Sequence, residues 1–304
     1  MWDQGDPNRF RVKPINNHKL AITVVIATKN EEINLPDCLE SIKFADQVVI
    51  VDSQSTDKTI ELATKQGAEV HQFFYDGGWP KKRNWALHEV DIRNDWILIL
   101  DADERVSPDL RNEIQIAIQS QRTDAYYIRW KFLFLGRWMK HSWSHGWMLR
   151  LFRKGKAQYE DLGMRSEGGW DAEVHENIVS SGVTNRLSNP LDHDSNQDLS
   201  FWIRKQNEFS DWNAARRLHQ LNQGVPPLKT LFSKDLVKRR KFLKSLFIRL
   251  PAKPLFMFGF LYIFKRGFLD GREGLYFCWL RAIHEFNIGA KVFEAKIKTS
   301  LKHR

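Results

Sequence analysis

The chain is short of cysteine: its 304 residues include two, Cys38 and Cys278. They stand far apart and make no metal-type pair, which argues against a disulfide framework and for a reducing compartment. Long apolar runs are missing too. No stretch reaches the roughly 18 uninterrupted apolar residues of a spanning helix. The opening, MWDQGDPNRFRVKPINNHK, is polar and lacks the apolar core of a signal peptide. No Gly-x-Gly-x-x-Gly follows the first apolar run, which counts against a dinucleotide site, and no Gly-x-x-x-x-Gly-Lys-Ser/Thr occurs, which counts against a P-loop. A phosphate bound by this chain therefore needs a metal and basic side chains such as Lys82 and Arg83.

What is present is unevenly placed. The length suits one large domain, or one domain with an appendage. From Lys229 to Arg304 there are 18 Lys or Arg against 5 Asp or Glu, a surplus of +13, while the whole chain carries +10. A basic tail on a mildly acidic body points to a polyanionic surface. Within that tail Leu255–Phe264, LFMFGFLYIF, is apolar and flanked by Lys253 and Lys265-Arg266. It is too short to span. It fits an interfacial element with its basic flanks at headgroup level, or a helix packed on the rest of the chain.

The richest stretch is Trp96–Val106, WILILDADERV. Trp96–Leu100 carries no charge and reads as a strand buried on both faces. It stops at Asp101-Ala102-Asp103-Glu104. Carboxylates beside a dry core need a cation or hydrogen-bond donors to offset desolvation. Strand carboxyl ends are where open α/β sheets bind ligands. Asp-x-Asp suits Mg²⁺ or Mn²⁺, whose remaining ligands are usually waters and phosphate oxygens. The blander reading is a polar turn before a helix started by Ser107 and Pro108.

Similar strands precede it: Ala21–Ala27, Gln47–Val51 and Glu69–Phe74. Helical patterns follow them at Leu35–Phe44, Lys58–Gln66 and about 80–90. This alternation predicts βαβ units and a parallel sheet. Successive strand ends converge on one crevice. There the turn Thr28-Lys29-Asn30-Glu31 is suited to a base edge, and Asp52 to a base or ribose donor. Farther on, Pro108–Gln119 is an amphipathic helix, Tyr126–Phe134 is one aromatic strand, and Asp198 to about Leu218 is a long helix. RWMKHSWSHGWMLRLFRKGKAQYE is crowded with Trp, His and Arg. Aromatic rings stack on sugar faces and Arg pairs with phosphate; a core of large aromatics under a basic surface is the equal alternative.

VVIATKNEE, VIVDSQSTDKT, KKRNWAL and ILILDADERV, in that order, resemble the nucleotide half of family 2 glycosyltransferases of the GT-A fold. The resemblance implies that Thr28, Asn30, Glu31 and Asp52 hold the uridine, that Asp103 binds the metal, and that Asp101 lies near ribose and metal. HGWMLRLFRKG is similar to a segment lining the family's donor–acceptor cleft, and Arg150 in it joins Lys82 and Arg83 as a substrate-binding candidate. The family's general base falls within WDAEVHE, here at Glu176, with Asp171 and Glu173 as alternatives. His193, in LSNPLDHDS, is the candidate second metal ligand; a lone loop His is otherwise a solvated one. KRGFLDGREGLYFCWLRAIHEF resembles the tail of lipopolysaccharide inner-core β-1,4-glucosyltransferases.

The resulting expectation is an α/β, Rossmann-like GT-A fold: a central, mostly parallel mixed sheet flanked by helices, with a helical basic C-terminal extension. Residues 1–20 form an arm, 21–225 the catalytic domain (nucleotide half 21–107, acceptor half 108–225), and 226–304 the basic region. The expected function is inverting, metal-dependent transfer of a hexose, glucose favoured, from a UDP-sugar to a lipopolysaccharide-type or other lipid-linked glycan. The expected place is the cytoplasmic face of an anionic membrane, with no nucleic-acid partner. The alternatives are a sugar nucleotidyltransferase, which would usually show a Gly-rich phosphate loop, and a non-catalytic membrane or polyanion binder.

Overall fold

The computed structural model describes residues 19–75, 80–143, 146–160, 178–193, 198–232, 235–250 and 252–302. The first half alternates strictly: β1 (Leu20–Thr28), α1 (Leu35–Ser41), β2 (Ala45–Asp52), α2 (Thr59–Lys65), β3 (Glu69–Gln72), α3 (Lys82–Glu89) and β4 (Trp96–Asp101). β5 (Glu104–Arg105) and α4 (Pro108–Ala117) follow. Ser107 caps α4, its side chain accepting from Leu110 N, with Pro108 in the first turn. Then come β6 (Ala125–Ile128), β7 (Trp130–Phe134), β8 (Arg137–Trp138), β9 (Met148–Arg153), β10 (Ala157–Tyr159), β11 (Ile178–Ser180), β12 (Thr184–Arg186) and β13 (Leu191–His193). The remainder is helical: α5 (Leu199–Asn222), a 3-10 turn (Leu228–Phe232), α6 (Leu236–Phe247), α7 (Lys253–Gly259), a π turn (Phe260–Phe264), a second 3-10 turn (Gly267–Asp270) and α8 (Gly271–Lys302).

Contacts divide the chain into a sheet unit (1–132 with 145–196) and a helical unit (133–144 with 197–304). The sheet unit is built on seven strands in the order β12-β6-β9-β4-β1-β2-β3. All run parallel except β9, which pairs antiparallel with both β4 and β6. The expected mostly parallel mixed sheet is thus observed. Its centre is fully apolar because helices cover both faces: Val24, Val25, Ile26, Leu98, Ile99 and Leu100 are all buried. Parallel register sets Thr28 opposite Asp52 and Ala27 opposite Asp101. Three polar strand ends therefore meet on one sheet edge.

Two elements differ from the sequence reading. Tyr126–Phe134 is two strands, divided at Arg129, whose carbonyl accepts from Leu191 N at 2.8 Å. There the chain leaves the main sheet and β7 pairs parallel with β13 instead. Leu255–Phe264 is not one helix but α7 and the π turn, and Leu255, Ile263 and Phe264 are exposed.

In the helical unit Asp198 caps α5, accepting from Phe201 N at 2.7 Å. α5 packs along α8 through Ala214, Ile288 and Val292. Buried Asp270 ties the 139–142 turn to the start of α8, accepting from Ser142 N and Ser142 Oγ, both at 2.7 Å. Gly274 is required there, since a Cβ would come within 2.3 Å of the Gly267 carbonyl oxygen. Among the described residues no helix is long and apolar enough to cross a membrane.

Candidate active site

The sheet edge gathers the predicted residues in two groups. The first lies at the ends of β1 and β2. Thr28 Oγ1 donates to Asp52 Oδ1 at 2.8 Å. Asp52, wholly buried, also accepts from Ser55 N at 2.7 Å, Ser55 Oγ at 2.5 Å and Gln72 Nε2 at 3.2 Å. Four donors hold a carboxylate that burial alone would penalise. The two loops are stitched further by Asn30 N to Ser55 Oγ, Thr56 N to Asn30 Oδ1 and Glu31 N to Thr59 Oγ1, each 2.8 Å. Asn30 adopts φ 55°, a left-handed conformation that asparagine tolerates well. Glu31 Oε2 accepts from Asn34 Nδ2 at 2.8 Å. Lys82 reaches this group from α3, donating to the Thr28 carbonyl at 3.0 Å.

The second group surrounds the end of β4. Asp101 is clamped by two guanidinium groups: Arg83 Nη2 donates to Oδ1, and Arg150 Nη2 to Oδ2 at 2.9 Å. Burial alone would raise the Asp101 carboxyl, but Arg83 and Arg150 hold it well below the usual carboxylate range. Arg150 comes from β9, the antiparallel strand beside β4, and also donates to Glu104 Oε1 at 2.7 Å. Glu104 is fully buried and its Oε2 accepts from Asp101 N at 2.8 Å. The turn Asp101–Glu104 is therefore closed on itself and locked to β9. Glu104 was not among the sequence candidates. The available signal was local: an acidic side chain three residues on can reach back to a backbone N–H.

Asp103 points elsewhere. Its Oδ2 lies 3.4 Å from Nε2 of His193, and the two side chains are 20% and 19% exposed. Strand pairing brings them together, because β13 runs antiparallel to β5 with His193 opposite Glu104. The imidazole rests against Trp130 and Phe132, at 4.9 and 5.8 Å between ring centres. A carboxylate oxygen suits Mn²⁺ or Mg²⁺, and the imidazole nitrogen beside it favours Mn²⁺. Among the described residues no three such side chains gather, so a cation there would draw its other ligands from water and a bound diphosphate. Cys38, whose Sγ lies 3.7 Å from the Asp101 carbonyl, is buried, and burial drives its thiol far above the usual range. It is inert rather than a ligand.

The structure thus brings together Asp101, Asp103, Arg83, Arg150 and His193, and separately Thr28, Asn30, Glu31, Asp52 and Lys82. The candidate bases Glu176, Asp171 and Glu173 lie outside the described residues, as do residues 1–18 of the expected arm.

The sequence model of glycosyl transferase family 2 matches residues 23–170. An uncharacterized glycosyltransferase of Rickettsia bellii (strain RML369-C) is 41% identical over 106 residues, 34% of this chain and about a third (35%) of that protein's length. The lipopolysaccharide core biosynthesis glycosyltransferase LpsC of Rhizobium meliloti (strain 1021) is 27% identical over 293 residues, 91% of this chain and 93% of LpsC. Among solved structures, S. aureus TarS 1-349 aligns over 88% of this chain and 91% of its own, with a TM-score of 0.42 and 16% identity. The family 2 match spans just under half of the chain.

Proposed function

We propose that this chain, through the region that matches family 2, transfers a hexose, glucose favoured, from a UDP-sugar to a hydroxyl of a lipopolysaccharide-type or other lipid-linked glycan, with inversion. The observation that carries the reading is the Asp103–His193 pair beside the doubly clamped Asp101, on the same sheet edge as the Thr28–Asp52 loops. The acceptor class rests on the near full-length similarity to LpsC.

In this reading Thr28, Asn30, Glu31 and Asp52 hold the uridine. Asp52 exchanges its longest bond, to Gln72 at 3.2 Å, for a base donor. Lys82 supports the turn from beneath. Arg83 and Arg150 lie beside the diphosphate, and their partner Asp101 keeps both guanidinium planes in place. Asp103 and His193 would hold the divalent cation, which when bound offsets the charge of the departing UDP. Glu176 takes the proton from the acceptor hydroxyl. The acceptor oxygen bonds to the anomeric carbon from the face opposite UDP, and the bond from that carbon to the phosphate oxygen breaks. Fixing donor and acceptor in one geometry supplies much of the rate.

The helical unit, in the same proposal, rests on the cytoplasmic face of an anionic membrane. Tyr276, Trp279, Ile283, Phe286, Phe293 and Ile297 are all exposed and recur at helical spacing on one side of α8. Such a continuous apolar stripe marks an interaction surface, and the +13 surplus of this region favours anionic headgroups.

The test is UDP release from a panel of UDP-sugars, with and without lipid-linked glycan and Mn²⁺. Release that requires the glycan supports transfer. No binding of any UDP-sugar with Mn²⁺ present, or turnover of nucleoside triphosphate plus sugar phosphate instead, would overturn it.

A further inference from the structure

Within the helical unit an open cavity of about 390 Å³ lies where α5, α7 and α8 meet, with Leu250, Phe286 and Phe293 exposed at its rim. Leu250, Pro254, Phe286 and Phe293 make apolar walls. Two cations line it as well, Arg217 and Lys253, against one anion, Glu285. Arg217 Nη2 donates to Glu285 Oε2 at 2.8 Å, while its Nη1 is buried with no hydrogen-bond partner. Burial, and then the Arg217 charge, pull the Lys253 amine down to about 8. A cation depressed by burial and by a like charge beside it gains from an added anion.

Gly289 also lines the cavity. It sits in the middle of a 32-residue helix, where glycine is the poorest helix former after proline. A Cβ at this position would meet nothing within 4 Å, so packing does not demand the glycine. What the missing side chain leaves is open volume.

We propose that this cavity binds one anionic phospholipid of the bilayer, its phosphate at Lys253 and Arg217 and an acyl chain laid along Phe286 and Phe293. Charge and shape both enter the choice. Inorganic phosphate would answer the cations and leave the walls bare. A zwitterionic lipid would fill the walls and bring a third cation to a site that already has a surplus. Phe286 and Phe293 belong as well to the exposed stripe of α8, so a chain bound here continues into the face assigned to the membrane. The source of the lipid rests on that assignment; the cavity and its charges do not.

The full chain is titrated by calorimetry and native mass spectrometry with dihexanoyl phosphatidylglycerol below its micellar concentration. Dihexanoyl phosphatidylcholine and inorganic phosphate serve as the other arms. We expect one saturable site for phosphatidylglycerol and at least tenfold weaker binding of the other two. Lys253→Gln should weaken the site at least tenfold. Gly289→Leu should fill the cavity and abolish binding while helical content stays level or rises, which separates a blocked site from an unfolded one. Gly289→Leu should leave vesicle docking and UDP-sugar binding intact, so failure of this site is distinguishable from failure of the membrane reading. Equal binding of phosphatidylcholine, phosphate binding as tight as phosphatidylglycerol, or undiminished binding in Gly289→Leu would each overturn the proposal. A tenfold preference for a phosphorylated glycolipid over phosphatidylglycerol would overturn the bilayer as its source.

Discussion

The two units distribute charge and hydrocarbon in opposite ways. In the sheet unit hydrocarbon fills the inside, and the carboxylates at the sheet edge are matched one by one: Asp52 with four donors, Asp101 with two arginines, Glu104 with Arg150 and a backbone N–H. In the helical unit charged groups lie between helices while large apolar side chains face outward. Arg217 pairs with Glu285, and the His284 ring faces the Gln206 carbonyl at 3.1 Å. Trp279, Phe286 and Phe293 stand outside on the same helix. α8 has in effect two apolar stripes, and Phe277, Ala282, Ile288 and Val292 are the buried one. Water would penalise the other stripe by an amount that scales with its area. The difference teaches that the sheet unit turns its large apolar side chains inward, whereas the helical unit keeps a second apolar stripe exposed.

The contrast breaks most severely at Arg150. Arg150→Ala would leave the fully buried Glu104 without its cation and Asp101 with Arg83 alone. Breaking a buried pair in this way costs about 3–5 kcal/mol, to be read as a lowered denaturant midpoint. An unchanged midpoint would mean that the clamp is not holding the turn. Next in size is the chemistry. Glu176→Gln should keep donor affinity and slow turnover by about 10²–10⁴-fold; if it stays active while Asp171→Asn or Glu173→Gln is dead, the base is one of those two. Asp103→Asn keeps shape but removes a charged oxygen. We expect at least tenfold weaker Mn²⁺-dependent UDP binding with the fold intact, and equal affinity would discard the metal assignment.

Two smaller effects separate the units. Burial, then the Arg281 charge, hold His284 down at about 4 against an ordinary 6.5. The folded state therefore favours the neutral ring. The stabilisation is fully present above pH 6.5 and is lost as pH falls from there toward 4. Melting temperatures recorded over that window should fall with acid in the parent and flatten in His284→Gln; parallel slopes would remove His284 from the account. Last, docking on anionic vesicles should weaken but persist at high salt, where screening shortens to about 3 Å at 1 M. Neutral vesicles should bind weakly. Equal binding to both kinds would reject the charge component.

Much of the sheet unit was legible because buried parallel strands leave uninterrupted apolar runs and end abruptly in polar residues. Leu20–Thr28 and Trp96–Asp101 show this directly. The Asp103–His193 encounter was not legible from spacing, since 90 positions separate the two and the pairing of β5 with β13 brings them together. His193 entered the candidate list only through family resemblance. Arg150 shows the same limit: an antiparallel strand inserted beside β4 delivers it to Asp101, and nothing in HGWMLRLFRKG states that partner.

By itself the sequence determined the alternation of strands and helices, the acidic turn after the fourth strand and the basic, aromatic tail. These follow from local periodicity and side-chain type, which act over a few residues. Tertiary structure alone decided which of those carboxylates pair with arginine and which faces His193, and which of the two apolar stripes of α8 is buried. Both outcomes depend on partners supplied from distant positions. Desolvation and pairing are properties of the assembled neighbourhood, so no single segment carries them.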